Sequence, residues 1–174
     1  MNLMELLEQE GGGSSVAKLA GQLGIDERKA RQLIGSVSPA VAGGLQKRAQ
    51  STEGQSELAR EIESGKYQRY VDDPQRLEEA SAREEGNHAL SQLFGSEDDS
   101  RQVAARASEE TGLEKSLIEK ALPLVAGLAM GALGKKSKEQ GGLGGGLGSL
   151  AGILGGSDGK FGVEDVKNIG GKFF

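Results

Sequence analysis

The chain has no cysteine and no tryptophan among its 174 residues, and only six tyrosine and phenylalanine side chains supply aromatic rings. Without cysteine there are no disulfides, no thiol catalysis and no cysteine-based metal sites. His88 is the single histidine, which excludes a multi-histidine metal site and a pair of catalytic histidines. So few aromatics cannot line a cofactor pocket in the usual way. We therefore expect no cofactor, no metal and no enzymatic activity.

Basic residues are missing from the first ten positions, MNLMELLEQE, which hold three glutamates. A secretory signal needs a basic start and a long apolar run, so we expect a cytoplasmic protein. The most apolar stretch, residues 121–134, contains a proline. It is shorter than the roughly 20 residues that cross a bilayer. We expect it to form a buried helix and not a membrane span.

Charge and glycine divide the chain into blocks. Residues 51–100 hold thirteen acidic and five basic side chains, a net charge of −8, whereas residues 14–50 and 101–139 are net positive. Thirteen of the 29 glycines lie in the last 34 residues, which is typical of a linker or tail. These shifts predict a partly frayed N-terminal helix over 1–13, a compact domain over 14–139 and a flexible glycine-rich tail over 140–174.

The domain sequence predicts an all-α compact bundle of about eight short helices. Leucine, alanine, glutamate, arginine, lysine and glutamine dominate it, and no stretch alternates with the period of a strand. Asp26 predicts a helix N-cap, and Ser38 with Pro39 predicts another N-cap and first helical position. Gly86 followed by Asn87 predicts the end of one helix and the start of the next.

Two segments of the domain resemble each other. Gly24-Ile25-Asp26 is matched by Gly112-Leu113-Glu114, and Pro39-Ala40-Val41-Ala42-Gly43 by Pro123-Leu124-Val125-Ala126-Gly127. Each of the two turn glycines follows an alanine-rich helical pattern and predicts its end. We infer two similar helix-turn-helix-like units, residues 14–50 and 101–136, joined by the acidic helices of 51–100. The alternative is a chance match between helical segments of low complexity.

Several longer motifs occur together in the second half of the domain. They are EGNHALSQLFGS (85–96), SRQVAARA (100–107), TGL (111–113), LPLVA (122–126) and MGALG (130–134). With these motifs the chain resembles the YidB-like bacterial family, a domain of unknown function numbered 937, over roughly residues 14–136. The resemblance implies an all-helical, bacterial, cytoplasmic protein without assigned activity or catalytic residue. Members of that family often have histidine where this chain has Gln92.

Residues 16–34 resemble a DNA-binding helix-turn-helix, with Gly24 in the turn. Arg28, Lys29 and Arg31 would then lie on the recognition helix. The net charge of −5 opposes nucleic-acid binding, because that affinity comes mainly from neutralising phosphates. A DNA-associated regulator that uses this segment is therefore our alternative interpretation, and economical packing of short helices would explain the same pattern.

The glycine-rich tail carries apolar residues at helical spacing. They include Leu147, Leu150, Leu154, Val163, Val166, Phe173 and Phe174. Its glycines oppose a stable isolated helix, but such a segment can fold against a partner. We expect the tail to dock on a protein partner or on a second copy of the chain, although a flexible linker would have the same composition. The main interpretation is thus a non-enzymatic interaction or assembly module.

Overall fold

The computed structural model describes residues 3–11 and 13–139, which form eight α-helices and one short 3-10 helix. In chain order they are α1 (Leu3–Gly11), α2 (Ser14–Leu23), α3 (Glu27–Arg48), α4 (Thr52–Glu63), α5 (Gln68–Asp72), the 3-10 helix (Pro74–Glu78), α6 (Ala80–Phe94), α7 (Glu97–Thr111) and α8 (Lys115–Glu139). The predicted all-α bundle of about eight helices is confirmed. The predicted tail, 140–174, lies outside the described residues.

The longest helix, α8, forms the centre of the fold, and each of the other seven α-helices packs against it. Every residue from 121 to 134 is buried, as predicted for this stretch. A helix that is apolar all round must be enclosed all round. By length and composition alone α8 could cross a membrane, but 83% of the apolar 18-residue window is buried inside the protein.

The first helix belongs to the same core. Leu6 and Leu7 of α1 are almost completely buried in the cluster that α8 organises. The ammonium group of Lys135 in α8 donates a hydrogen bond to the main-chain carbonyl of Glu10 at 2.8 Å, near the end of α1. The hydrophobic core therefore includes residues on the N-terminal side of the limit that the sequence predicts at residue 14.

Glycine turns and an aspartate cap set the boundaries of the two helix pairs, α2–α3 and α7–α8. Gly24 and Gly112 have φ angles of 67° and 73° and end α2 and α7. Asp26 caps α3, since its side chain accepts a hydrogen bond from the main-chain N–H of Lys29 at 2.8 Å. Each pair is thus a shorter helix, a glycine turn and a longer helix. That the two pairs are copies of one unit stays a prediction.

The helix start predicted at Ser38 and Pro39 is wrong, because α3 continues unbroken through both residues. A proline inside a helix has no N–H to donate, and its ring clashes with the carbonyl of the residue four positions earlier. The buried stripe of α3 nevertheless extends on both sides of it, at Ala30, Leu33, Ile34, Val37, Val41 and Leu45. Packing of this stripe outweighs the cost of the proline. In the same way, α8 continues through Pro123.

The helix boundary predicted at Gly86 and Asn87 is also wrong, because α6 runs through both. A Cβ atom at Gly86 would collide with the main-chain carbonyl of Pro123 in α8. The glycine therefore serves the close approach of two helices and does not end one. Gly131 has the same role on α8, where a Cβ would collide with the main-chain carbonyl of Tyr67.

Candidate functional site

An open groove of about 360 Å³ lies between α4 and α6. Its walls are formed by Glu57, Arg60, Glu61, Ser64, Lys66, His88 and Gln92. Helical periodicity explains these walls: Leu58 and Ile62 point from the opposite side of α4 into the core, and Ala89 and Leu93 do so from α6. Polar residues one turn apart on each helix are thereby left to line the space between them.

The groove brings together the single histidine and a glutamate that lies 27 positions earlier. Nε2 of His88 lies 3.0 Å from Oε1 of Glu61, and the two side chains are 45% and 24% exposed. Burial acts to raise the pKa of Glu61, but the hydrogen bond with His88, the charge of Lys66 and the Tyr67 hydroxyl hold it below its ordinary value. Glu61 is therefore ionised at neutral pH.

Two acceptor atoms at the groove lack a donor. Oε2 of Glu61 and Oε1 of Gln92 are buried, and neither has a hydrogen-bond partner among the described residues. The buried Tyr67 hydroxyl, which also has no partner of normal geometry, lies beside the Glu61 carboxylate. Burial, together with the charge and the hydrogen-bonding influence of Glu61, raises the pKa of Tyr67 far above its usual range, so the phenol stays neutral. A buried acceptor without a donor costs about 1 to 3 kcal/mol, and for Glu61 the Tyr67 hydroxyl is the adjacent donor.

A neighbouring carboxylate shows the opposite arrangement. Glu85 of α6 accepts hydrogen bonds at both oxygens, from the guanidinium of Arg69 at 2.6 Å and from the hydroxyl of Tyr70 at 2.5 Å. This network joins α5 to α6 and leaves neither carboxylate oxygen without a donor. Its role is structural, and it differs from Glu61, where only one oxygen has a hydrogen bond of normal geometry.

The basic residues predicted for a recognition helix are exposed on the first two turns of α3. Arg28, Lys29 and Arg31 all lie on the surface. Arg31 forms an ion pair with Glu8 of α1, and the side chain of Asp26 caps the same end of the helix. The structure thus places the three side chains close together but adds carboxylates among them, which weakens their attraction for phosphates.

The remaining predicted site residues fall in the tail. Leu147, Leu150, Leu154, Val163, Val166, Phe173 and Phe174 all lie outside the described residues. Within residues 3–11 and 13–139, no group of three or more histidine, cysteine, aspartate or glutamate residues is arranged to hold a metal ion.

No local signal in the sequence predicts the groove. From the local sequence, His88 is predicted to be a surface residue at the start of a helix, because Asn87 resembles an N-cap. The structure places it in the middle of α6, exposed but paired with Glu61. Gln92 lies one turn further along the same helix. The contact of α4 with α6 depends on how both pack against α8, which the local sequence of neither helix reveals.

Comparison with known proteins gives one match. No curated protein and no solved structure matches the chain. A family model described as a bacterial protein of unknown function, DUF937, matches residues 5–136. The match begins in α1 and ends near the end of α8, so it includes both the groove and the exposed basic residues of α3. The chain therefore belongs to the DUF937 family of bacterial proteins of unknown function.

Proposed function

We propose that the protein is a non-enzymatic interaction module of the cytoplasm, and that the groove between α4 and α6 takes a short basic, partly apolar segment of a protein partner. The observation that carries this proposal is the open groove between α4 and α6, in which the ionised Glu61 is paired with the exposed imidazole of His88 beside Arg60 and Lys66.

Charge favours a lysine or arginine side chain as the donor. Glu61 is ionised at neutral pH, and a charge-assisted hydrogen bond is roughly twice as strong as a neutral one. The groove wall itself is charge-balanced, with Glu57 and Glu61 against Arg60 and Lys66, so this preference rests on Glu61 alone. The aliphatic stems of Arg60 and Lys66 supply apolar wall surface, against which an apolar residue beside the cation can pack.

The pair of His88 and Glu61 has a positioning role in this proposal. The nearby Ser91 hydroxyl donates to the main-chain carbonyl of His88 at 2.8 Å, and therefore is not held as a nucleophile against the imidazole ring. The sequence contains no cysteine and no second histidine that could act with it. In this proposal His88 helps to keep Glu61 ionised and fixes one of its carboxylate oxygens at the groove.

Site-specific photo-crosslinking in the native host tests the proposal. A photoreactive residue at Arg60, on the groove wall, should give a discrete adduct with a partner protein. The same residue at Gln102, exposed on α7, is the matched control and should give none. Glu61→Gln keeps the shape of the side chain and should reduce the Arg60 adduct. Equal adduct yields at both positions would contradict the proposal, and so would an Arg60 adduct whose yield Glu61→Gln does not reduce.

The geometry of α2 and α3 favours a second candidate, a DNA-associated regulator. Arg28, Lys29 and Arg31 are exposed at the start of the helix that follows a glycine turn. If they contact phosphates, binding to duplex DNA should weaken steeply with salt, and replacing all three by alanine should flatten that dependence. Arg101→Ala on α7 is the control. Absence of duplex binding at about 50 mM salt would remove this candidate.

A further inference from the structure

We propose that α1 is a releasable helix: it leaves the slot formed by α2, α3, α5 and α8 while those helices stay folded, and ionisation of Glu10 promotes its release. This device is separate from the groove between α4 and α6 and does not depend on what binds there. Three features of α1 lead to it: its glycine connection, its small packed face and the buried carboxylate near its end.

The connection from α1 to α2 imposes little steric limit on where α1 lies. Gly11, Gly12 and Gly13 follow one another in the sequence, and Gly13 has a φ angle of 79°. Glycine adopts left-handed conformations as readily as right-handed ones, so the chain can change direction here without side-chain clashes. The hydroxyl of Ser15 is buried against Gly11 and has no hydrogen-bond partner among the described residues. Water can hydrate it once α1 leaves, which favours release.

Few side chains hold α1 in the slot. Leu6 and Leu7 are its buried apolar residues, whereas Leu3 and Met4 are only partly buried. A helix of nine residues is not stable alone in water, so α1 unfolds on release and regains conformational entropy. The four helices around the slot also pack on one another, since α2, α3 and α5 each contact α8. The bundle can therefore stay folded without α1.

Glu10 carries the charge that opposes docking. Its side chain is buried, and burial together with the like charge of Glu139 on α8 raises its pKa. Lys136 acts in the opposite direction from 3.9 Å. The ammonium group of Lys135 also lowers the pKa, but it donates to the main-chain carbonyl of Glu10 and pairs with Asp72 of α5 at 3.2 Å. The lysines thus compensate the buried carboxylate only in part.

The two remaining helices around the slot hold cations that are paired with other carboxylates. Arg31 of α3 pairs with Glu8, and Lys18 of α2 pairs with Glu78. A carboxyl whose pKa is higher in the docked state favours docking below its ordinary value of 4.5, and this contribution is lost as the pH rises through the docked pKa. We therefore expect α1 to open more often at neutral pH than in mild acid.

Hydrogen exchange in the full chain tests the proposal at the hydrogen-bonded amides of residues 7–11. These amides should exchange through a local opening, with protection factors far below those of α8. After correction for the intrinsic exchange rate, their protection should fall several-fold between about pH 5 and about pH 7.5, since one carboxyl changes the equilibrium by at most about tenfold per pH unit. Protection equal to that of α8, or protection that does not fall over this range, would overturn the proposal.

Two variants assign the effect to the buried carboxylate. Glu10→Gln should raise the protection of α1 at about pH 7.5 and abolish its dependence on pH, because the amide does not ionise. Glu139→Gln should raise it in the same direction. Glu8→Gln, at an exposed position of the same helix, is the matched control and should keep the pH dependence. A dependence that survives Glu10→Gln, or that Glu8→Gln removes equally, would overturn the role of Glu10.

Discussion

At the scale of single residues, two glutamates beside tyrosines have different roles. Glu85 has donors at both oxygens and ties α5 to α6. Glu61 has His88 at one oxygen and no hydrogen-bond partner at the other within the described residues. A fully satisfied carboxylate stabilises the fold, whereas a half-satisfied one is stable only if the surrounding charges keep it ionised. His88 and Lys66 provide that environment for Glu61.

The lowered pKa of Glu61 predicts how stability depends on pH. A carboxyl whose pKa is lower in the folded state contributes stability above its unfolded value, here 4.5, and loses it as the pH falls through the folded pKa. Glu61→Gln should therefore reduce the free energy of unfolding at pH 7, and the difference from wild type should shrink at pH 3.5. Urea titrations at both pH values measure this. Glu57→Gln, on the same helix, is the control, and a difference that grows on acidification would contradict the prediction.

The pKa of Glu10 is shifted in the opposite direction, upward. It is 7% exposed at the contact of α1 with α8. Burial and the neighbouring carboxyl of Glu139 raise its pKa, although Lys136 and Lys135 oppose the shift. A raised carboxyl pKa favours folding below the unfolded value of 4.5, and that contribution is lost as the pH rises through the folded pKa.

Glu10→Gln should therefore raise the Tm at pH 7 and leave it close to wild type at pH 4, where the carboxyl is largely protonated. Thermal unfolding followed by circular dichroism measures both values. Glu139→Gln should act in the same direction, because it removes the charge that repels Glu10. A lower Tm for Glu10→Gln at pH 7 would mean that the ion pair with Lys136, at 3.9 Å, outweighs burial and repulsion.

At the scale of helices, α8 depends on glycines for its contacts. A side chain at Gly131 would collide with the main chain of Tyr67, whereas the nearest atom to a Cβ at Gly127 is 3.9 Å away. Gly131→Leu should therefore lower the free energy of unfolding by at least about 1 to 3 kcal/mol through overpacking. Gly127→Ala should lower the free energy of unfolding far less. Equal effects in urea unfolding would show that backbone contact at Gly131 does not limit the packing.

Pro39 tests whether packing alone keeps α3 continuous. The residue is exposed, and proline removes one helical hydrogen bond at a cost of about 3 kcal/mol relative to alanine. Pro39→Ala should therefore raise the free energy of unfolding, by on the order of 1 to 3 kcal/mol. Pro123→Ala, at a buried site in α8, should raise the free energy of unfolding less, because the smaller side chain also leaves a cavity. No gain from Pro39→Ala would mean that α3 is bent to suit the proline.

At the scale of the whole molecule, the buried apolar residues of the described part form a single cluster from Leu6 to Leu133. All eight α-helices contribute to this cluster. Removing residues 141–174 should therefore leave the Tm nearly unchanged, because every residue of the cluster remains in the chain. A drop of many degrees would show that the tail forms part of the core.

The sequence alone determined the features that depend on local chemistry. A glycine with positive φ ends a helix, and an aspartate side chain caps the next one, within a few residues of chain. Gly24, Asp26 and Gly112 could therefore be assigned correctly before any packing was known. The absence of strand periodicity and the shared motifs likewise determined the all-α class and the family.

Only the tertiary structure decided the features that depend on contacts between distant segments. Pro39 and Gly86 carry local signals for helix ends, yet both helices continue, because burial of a stripe and close approach to Pro123 outweigh those signals. Glu61 and His88 lie 27 positions apart and meet because α4 and α6 both pack on α8. Local hydrogen bonding acts over one helical turn, whereas packing free energy sums over the whole core and can reverse a local preference.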